Sequence, residues 1–208
     1  MSDHDNGAPF EQPASFAFTP ENMTKAKAYI AKYPPGRQAS AVLWLLYLAQ
    51  DQHDNWVPRA AMDHIAEILE MPAIRVYEVA SFYTMFNLRP VGRHFLQVCT
   101  TTPCWLRGSD EVVAACKKKL GIGIGETTPD GKFTLFEVEC LGACVNAPII
   151  QVNNGDFYED LDGPATEKLI DTLARGEKPR AGSVKRRRGS MPEGGATTLT
   201  SSDLPGLK

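Results

Sequence analysis

Two pairs of cysteines constrain this chain more than any other feature. Cys99 and Cys104 are separated by four residues, and Cys140 and Cys144 by three. Each pair follows a segment that reads as a strand, so each sits in the loop leaving that strand. His94 to Cys99 is the first segment; Phe133 to Glu139 is the second, with Phe136, Val138 and Cys140 expected on one face. The stretch between them, Ser109 to Leu120, is helical, with Ser109 expected as its cap and Gly121 as its stop. In such a βαβ unit the two parallel strands can be neighbours, and their loops then leave from the same end of the sheet. Four thiols distant in sequence would meet at one point.

The surrounding sequence supplies the rest of a fold. Ile149 to Val152 and Phe157 to Glu159 flank Asn153-Asn154-Gly155, a hairpin signal. Residues 164–175 form an amphipathic helix with Ala165, Leu169 and Leu173 along one stripe. The order β-α-β then β-β-α is that of a thioredoxin-like α/β domain with a mixed sheet. That fold places a cis proline just before the hairpin, so a cis bond is expected at Ala147-Pro148.

Upstream, the hydrophobic period is helical. Thr19-Pro20-Glu21 opens a helix that must end before Pro34-Pro35. Residues 38–52 give a second, a third follows Pro58, and a fourth follows Pro72 with Val76, Val79, Tyr83 and Phe86 aligned. The aromatic residues Trp44, Tyr47, Phe82 and Tyr83 are expected in the core of this bundle. The fold class is therefore α+β. The expected domains are a flexible arm over 1–18, a helical bundle over 19–90, the thioredoxin-like domain over 91–180, and a tail over 181–208. The tail begins basic (Lys185, Arg186, Arg187, Arg188) and becomes rich in Gly, Ser and Thr. A docking arm and solvated chain are both open readings of it.

Composition excludes several function classes. The net charge of −3 gives no bulk attraction to nucleic acid. The apolar stretch Ala41 to Ala49 is too short to span a bilayer, so no direct membrane insertion is expected. The start of the chain, with Asp3, Asp5 and Glu11, fits neither a secretory signal nor an Arg-rich transit peptide. A reducing compartment is expected, the bacterial cytoplasm or, for a processed chain, the mitochondrial matrix. There, five cysteines are metal-binding or redox groups rather than a disulfide framework.

Four thiolates suit two iron atoms bridged by sulfide, two thiolates to each iron. They equally suit a structural four-cysteine zinc site, and spacing leaves that alternative open. Thiol–disulfide exchange is disfavoured because no C-x-x-C motif is present. No pair of histidines accompanies the cysteines, which excludes a Rieske-type site. Cys116 lies on the helix with Val112, Val113 and Leu120 and reads as core. Gly121-Ile122-Gly123-Ile124-Gly125 follows a helix rather than a strand, the wrong context for a dinucleotide loop. Gly142 would give the second cysteine loop its unusual dihedrals, and Thr100, Thr101 and Thr102 are candidate donors to sulfur.

The run from Gly125 to Thr134 (GETTPDGKFT), continuing as Val138-Glu139-Cys140-Leu141-Gly142-Ala143-Cys144 and Ala147-Pro148, resembles a known family. Phe82-Tyr83-Thr84-Met85-Phe86 and Cys99-Thr100-Thr101-Thr102-Pro103-Cys104 resemble it as well. It is the family of thioredoxin-like [2Fe–2S] subunits of NADH–quinone oxidoreductase, respiratory complex I. The likeness spans residues 20 to 175. It implies a [2Fe–2S] cluster held by Cys99, Cys104, Cys140 and Cys144 as cofactor-binding metal ligands, with no catalytic residue on this chain. It implies an electron carrier that is part of an enzyme but has no substrate site of its own. The implied partners are a flavoprotein subunit that binds FMN and NADH and a large multi-cluster iron–sulfur subunit. The implied place is the peripheral arm of a complex on the bacterial inner membrane. The equivalent subunit of an NAD-linked hydrogenase or formate dehydrogenase is the alternative, as is a zinc module bracing the flavoprotein.

Overall fold

The computed structural model describes residues 10–187 together with 189, 194, 195, 197 and 198. The chain forms two compact units, Met1–Arg93 and His94–Lys208.

The first unit is helical: α1 (Pro20–Ile30), α2 (Val42–Gln52), α3 (Arg59–Ile68) and α4 (Ala73–Phe82). Thr19 caps α1 as expected, its hydroxyl accepting from the Asn22 amide at 3.2 Å. A 3-10 turn over Gln38–Ala41 leads into α2, so the segment expected as one helix starts with a tighter turn. The core gathers Leu45, Leu46, Ala49, Ile65 and Val76, all fully buried.

Three expectations fail here. Of the arm expected over 1–18, residues 10–18 lie against the bundle. Phe18 is buried in its core, and the Gln12 side chain accepts from the Arg59 amide at 3.0 Å. Residues 1–9 lie outside the described residues. Secondly, α4 stops at Phe82, so Tyr83 and Phe86 do not continue its stripe. Thirdly, Phe82 is 76% exposed, and Trp44 and Tyr83 are also exposed; Tyr47 packs at the edge of the core. Trp44 instead stacks flat on Tyr29, centroids 4.9 Å apart. Helical spacing cannot tell a core aromatic from one covering the rim of a bundle.

The second unit is a five-stranded mixed sheet in the order β2-β1-β3-β4-β5. The strands are β1 (His94–Cys99), β2 (Phe133–Val138), β3 (Ile150–Val152), β4 (Asp156–Glu159) and β5 (Gly182–Ser183). β1 runs parallel to β2, with His94 opposite Phe133 and Cys99 opposite Val138. β3 lies antiparallel to both β1 and β4, and β5 is parallel to β4. The helices are α5 (Thr102–Leu106), α6 (Ser109–Leu120) and α7 (Gly163–Ala174).

One core lies between the sheet and α6 and α7. Leu96, Val98, Phe133, Leu135 and Ile150 come from the strands, and Val112, Cys116, Leu169, Ile170 and Leu173 from the helices. Cys116 is fully buried, and burial pushes its thiol up to about 12. It is a small apolar side chain here. Phe133 and Leu135, rather than Phe136 and Val138, are the β2 residues in this core; Phe136 packs against Phe95, centroids 5.6 Å apart. The hairpin turns through Asn153 and Asn154, both at φ 53, the left-handed pair that such a turn requires. Asn154 Oδ1 also accepts from the buried Gln97 side chain at 2.7 Å. The Ala147-Pro148 bond is cis, as expected.

Two local readings change. Ser109 does not cap α6; Gly108, at φ 96, occupies the cap, and Ser109 is its first buried residue. The C-terminal region expected as tail from residue 181 contributes β5, followed by an ion pair between Arg187 and Asp160. Arg188 and residues 190–193, 196 and 199–208 lie outside the described residues. The Asp160 side chain is 1% exposed and that of Arg187 13%.

Burial raises the Asp160 carboxyl, but hydrogen bonds from Arg187 and Ser183, with the charges of Arg187 and Lys185, hold it below the usual carboxylate range. A carboxyl depressed in the folded state adds stability above its unfolded pKa of about 4, and that stability is lost as pH falls through the lower folded value. Asp160→Asn is therefore expected to lower stability near neutrality by about 2–4 kcal/mol and to flatten the acid limb. Thermal midpoints of both proteins between about pH 6 and pH 3 check this; parallel acid limbs would contradict it.

Candidate iron–sulfur centre

The site is built by two loops at one end of the β1–β2 pair. Cys99 is the last residue of β1, and Cys104 lies within the short helix α5 just beyond it. Cys140 follows the end of β2 by two residues, and Cys144 opens a 3-10 turn over Cys144–Asn146. Because β1 and β2 are parallel and in register to their C-terminal ends, both loops leave the sheet on the same side. Both cysteine loops therefore open at one end of the strand pair, as expected from sequence. The helix around Cys104 is not legible in the sequence, where Thr101-Thr102-Pro103 reads as loop. The available signal is Pro103, which suits the first turn of a helix.

The thiols stand as two pairs. Cys140 Sγ and Cys144 Sγ are 3.3 Å apart. Cys99 and Cys104 are close enough for each to act electrostatically on the other, and Cys144 lies within reach of this pair. Cys99 and Cys104 are buried beside Ala147 and Ile149, whereas Cys140 is exposed and Cys144 partly so. One side of the site is thus closed by the core and the other faces outward.

Electrostatics separates the four. Burial pushes the Cys104 thiol up to about 12, with hydrogen bonding and charge from Cys99 adding to it. The Gly142 amide, donating to Cys140 Sγ at 3.4 Å, holds Cys140 below its ordinary range; Cys144 and Thr101 act the same way, against burial and the Glu139 charge. The hydrogen bond to Cys140 raises Cys144, and burial adds to it. Two thiolates as close as those of Cys140 and Cys144 repel one another unless a cation lies beside them, so this pair suits a metal.

Among the described residues, no three of His, Cys, Asp and Glu are grouped to hold a single metal ion. Two pairs of thiols match a cluster that takes two thiolates on each iron. The residues present therefore fit a [2Fe–2S] group. Of the three threonines, Thr101 meets sulfur, its Oγ1 lying 3.3 Å from Cys99 Sγ. Thr100 donates to Glu137 Oε1 at 2.5 Å instead, and Thr102 is exposed at the start of α5.

Residues 26–174 match the family described as thioredoxin-like [2Fe-2S] ferredoxin. The chain belongs to that family. Its cofactor is a [2Fe–2S] cluster. Among curated relatives, an NADH-quinone oxidoreductase subunit of Rickettsia bellii is 56% identical over 159 residues, covering 76% of this chain and 95% of the relative. The protein named NADH dehydrogenase [ubiquinone] flavoprotein 2, mitochondrial, of Dictyostelium discoideum is 50% identical over 184 residues, covering 88% and 74%. Among solved structures, the NAD+-reducing [NiFe]-hydrogenase in its air-oxidised state aligns over 63% of this chain with a TM-score of 0.54 and 21% identity. This chain spans 23% of the length of that hydrogenase chain, and the likeness is one of fold.

Gly142 has φ +81, and no atom lies within 4 Å of where its Cβ would be. Gly142→Ala thus meets no steric obstacle and carries the left-handed backbone cost of about 1–2 kcal/mol. Its thermal midpoint is expected to fall by a few degrees, with Gly142→Asn falling less because Asn tolerates that region. Equal midpoints for glycine and alanine would mean the loop is not held in this conformation.

Proposed function

We propose that this chain is the one-electron carrier subunit of an NADH–quinone oxidoreductase. In this reading Cys99, Cys104, Cys140 and Cys144 hold the [2Fe–2S] cluster, which exchanges single electrons with the FMN of a partner flavoprotein subunit. The observation that carries the reading is the meeting of two thiol pairs at one end of the parallel β1–β2 pair, in a chain 56% identical to a subunit of an enzyme of that name. When bound, the cluster supplies reversible one-electron redox chemistry and makes no covalent bond to a substrate. The chain's own residues hold, shield and tune it.

The asymmetry of the site supports transfer to a partner. Cys99 and Cys104 close the inner side, and Cys140 with Cys144 leaves the outer side open. Trp105 and Leu106 follow Cys104 directly and Val145 follows Cys144; they are 57%, 70% and 61% exposed. Large apolar side chains displayed beside the ligand loops suit a surface covered by protein. The partners proposed are the flavoprotein that binds FMN and NADH and the large multi-cluster iron–sulfur subunit. Among the described residues no helix is long and apolar enough to cross a membrane. The proposed place is the peripheral arm of a membrane-bound complex. The fold shared with the NAD+-reducing hydrogenase supports a second reading, in which the chain serves an NAD-linked hydrogenase.

Anaerobically purified protein is expected to carry about two iron and two sulfide per chain, with each of Cys99→Ser, Cys104→Ser, Cys140→Ser and Cys144→Ser losing cluster and Cys116→Ser keeping it. About one zinc and no sulfide would replace the electron carrier with a structural module. Glu139→Gln is expected to raise the cluster potential, because the Glu139 charge acts on Cys140 and opposes an added electron. Redox titration followed by EPR reads it, and an unchanged potential rejects that role. In the assembled complex, Cys144→Ser is expected to increase peroxide production at equal assembly, reflecting a carrier that takes single electrons from reduced flavin.

A further inference from the structure

The segment from residue 181 reads as tail in the sequence, yet it returns to the cysteine site. Gly182–Ser183 forms β5 beside β4, and the Val184 amide donates to the Glu159 carbonyl at 3.1 Å. The Ser183 hydroxyl donates to Asp160 Oδ2 at 2.5 Å and accepts the amides of Lys185 and Arg187 at 3.1 and 3.2 Å. Arg186 stands at φ 60, a left-handed conformation uncommon outside glycine, and the turn it makes brings Arg187 back onto the sheet edge.

There the Arg187 guanidinium meets both a carboxylate and a backbone carbonyl. Nε donates to Asp160 Oδ2 at 2.9 Å, and Nη2 forms an ion pair with Asp160 Oδ1. Nη2 also donates to the Val145 carbonyl at 3.1 Å. Val145 follows Cys144 directly. The next residue, Asn146, is tied to the same region: its carbonyl accepts from the Asp160 amide at 2.7 Å, and its side chain donates to Glu159 Oε2 at 2.6 Å. A buried carboxylate thus anchors a guanidinium that also reaches the backbone of the second cysteine loop. An arginine suits this because one rigid fork can serve a carboxylate and a carbonyl together.

We propose that Arg187 is a positioning residue for the iron–sulfur site: anchored on Asp160, it holds the Val145 carbonyl and so keeps the Cys140–Cys144 arm closed on the cluster. The inference rests on the assignment of Cys140 and Cys144 as ligands. Loss of the guanidinium contact leaves both cysteines in place and lets their loop open more often, which speeds the escape of iron. The alternative is that Arg187 merely neutralises the buried Asp160. In that case removing both charges together restores everything, because a buried pair can be replaced by neutral groups at little cost.

The experiment uses the full chain with its cluster, as wild type, Arg187→Gln, Arg187→Lys, Asp160→Asn/Arg187→Gln and Arg186→Gln. The last removes a neighbouring charge as a control. Cluster loss to a ferrous chelator is followed by the visible absorbance, thermal midpoints report folding, and EPR of the reduced cluster reports its geometry. Arg187→Gln is expected to lose cluster about ten-fold faster, the scale of one charge-assisted hydrogen bond. Arg187→Lys should fall between it and wild type. The double variant should regain thermal stability while still losing cluster fast and keeping shifted g values, and Arg186→Gln should match wild type. Wild-type rates and g values in the double variant, or in Arg187→Gln itself, would overturn the proposal and leave the cluster assignment standing. A wild-type protein lacking iron and sulfide would overturn the ligand assignment, and this proposal with it.

Discussion

The parallel pairing of β1 with β2 is the constraint on which the site depends. Residues opposite one another in this pair are 39 positions apart in sequence, as with Cys99 and Val138. Only a parallel pair sends both loops out at the same end, and only a right-handed crossover joins such strands routinely. The connection between these strands carries the helix α6, whose buried Val112 and Cys116 complete the core behind them. The hydrophobic core and the cysteine site are therefore consequences of the same topology. A shift in β1–β2 register would displace one thiol pair relative to the other and turn the strand faces over.

The four cysteines are chemically unequal although their residue type is the same. Cys99 and Cys104 are held in packed surroundings next to Ile149, and Cys140 and Cys144 sit on an outward loop shaped by Gly142. Burial lifts Cys104, while the Gly142 amide lowers Cys140. The inner pair is the packed half of the site and the outer loop the exposed half, which draws its support from elsewhere in the chain. That support comes from the Glu159–Leu161 segment and from the return of the chain at Ser183 and Arg187.

Much of this is legible in the amino-acid sequence because the signals are local. Thr19-Pro20 starts α1, Asn153-Asn154-Gly155 turns the hairpin, and Gly121 stops α6 at a left-handed φ of 68. Each is a backbone requirement met by a residue type suited to it. The aromatic residues of the first unit defeat such a reading because period alone does not give the depth of a face. Phe82 lies at the end of α4 and is exposed, although it stands in a run that reads as apolar. The cap of α6 differs from expectation by one residue because Gly108 and Ser109 are both acceptable there.

What the sequence by itself determined was the order of elements, the two cysteine pairs and their placement after two strands, and the family to which those motifs belong. These depend on residue type and spacing along the chain, which are local quantities. What the tertiary structure decided was which thiol is buried, which threonine reaches sulfur, that Cys104 rides on a helix, and that a basic stretch resembling tail supplies Arg187 to a buried carboxylate. Composition favours solvation for Lys185-Arg186-Arg187, and no local signal announces a partner 27 residues earlier. A buried charge is stable only where another part of the chain neutralises it and satisfies its hydrogen bonds, and that condition exists only once the sheet has formed.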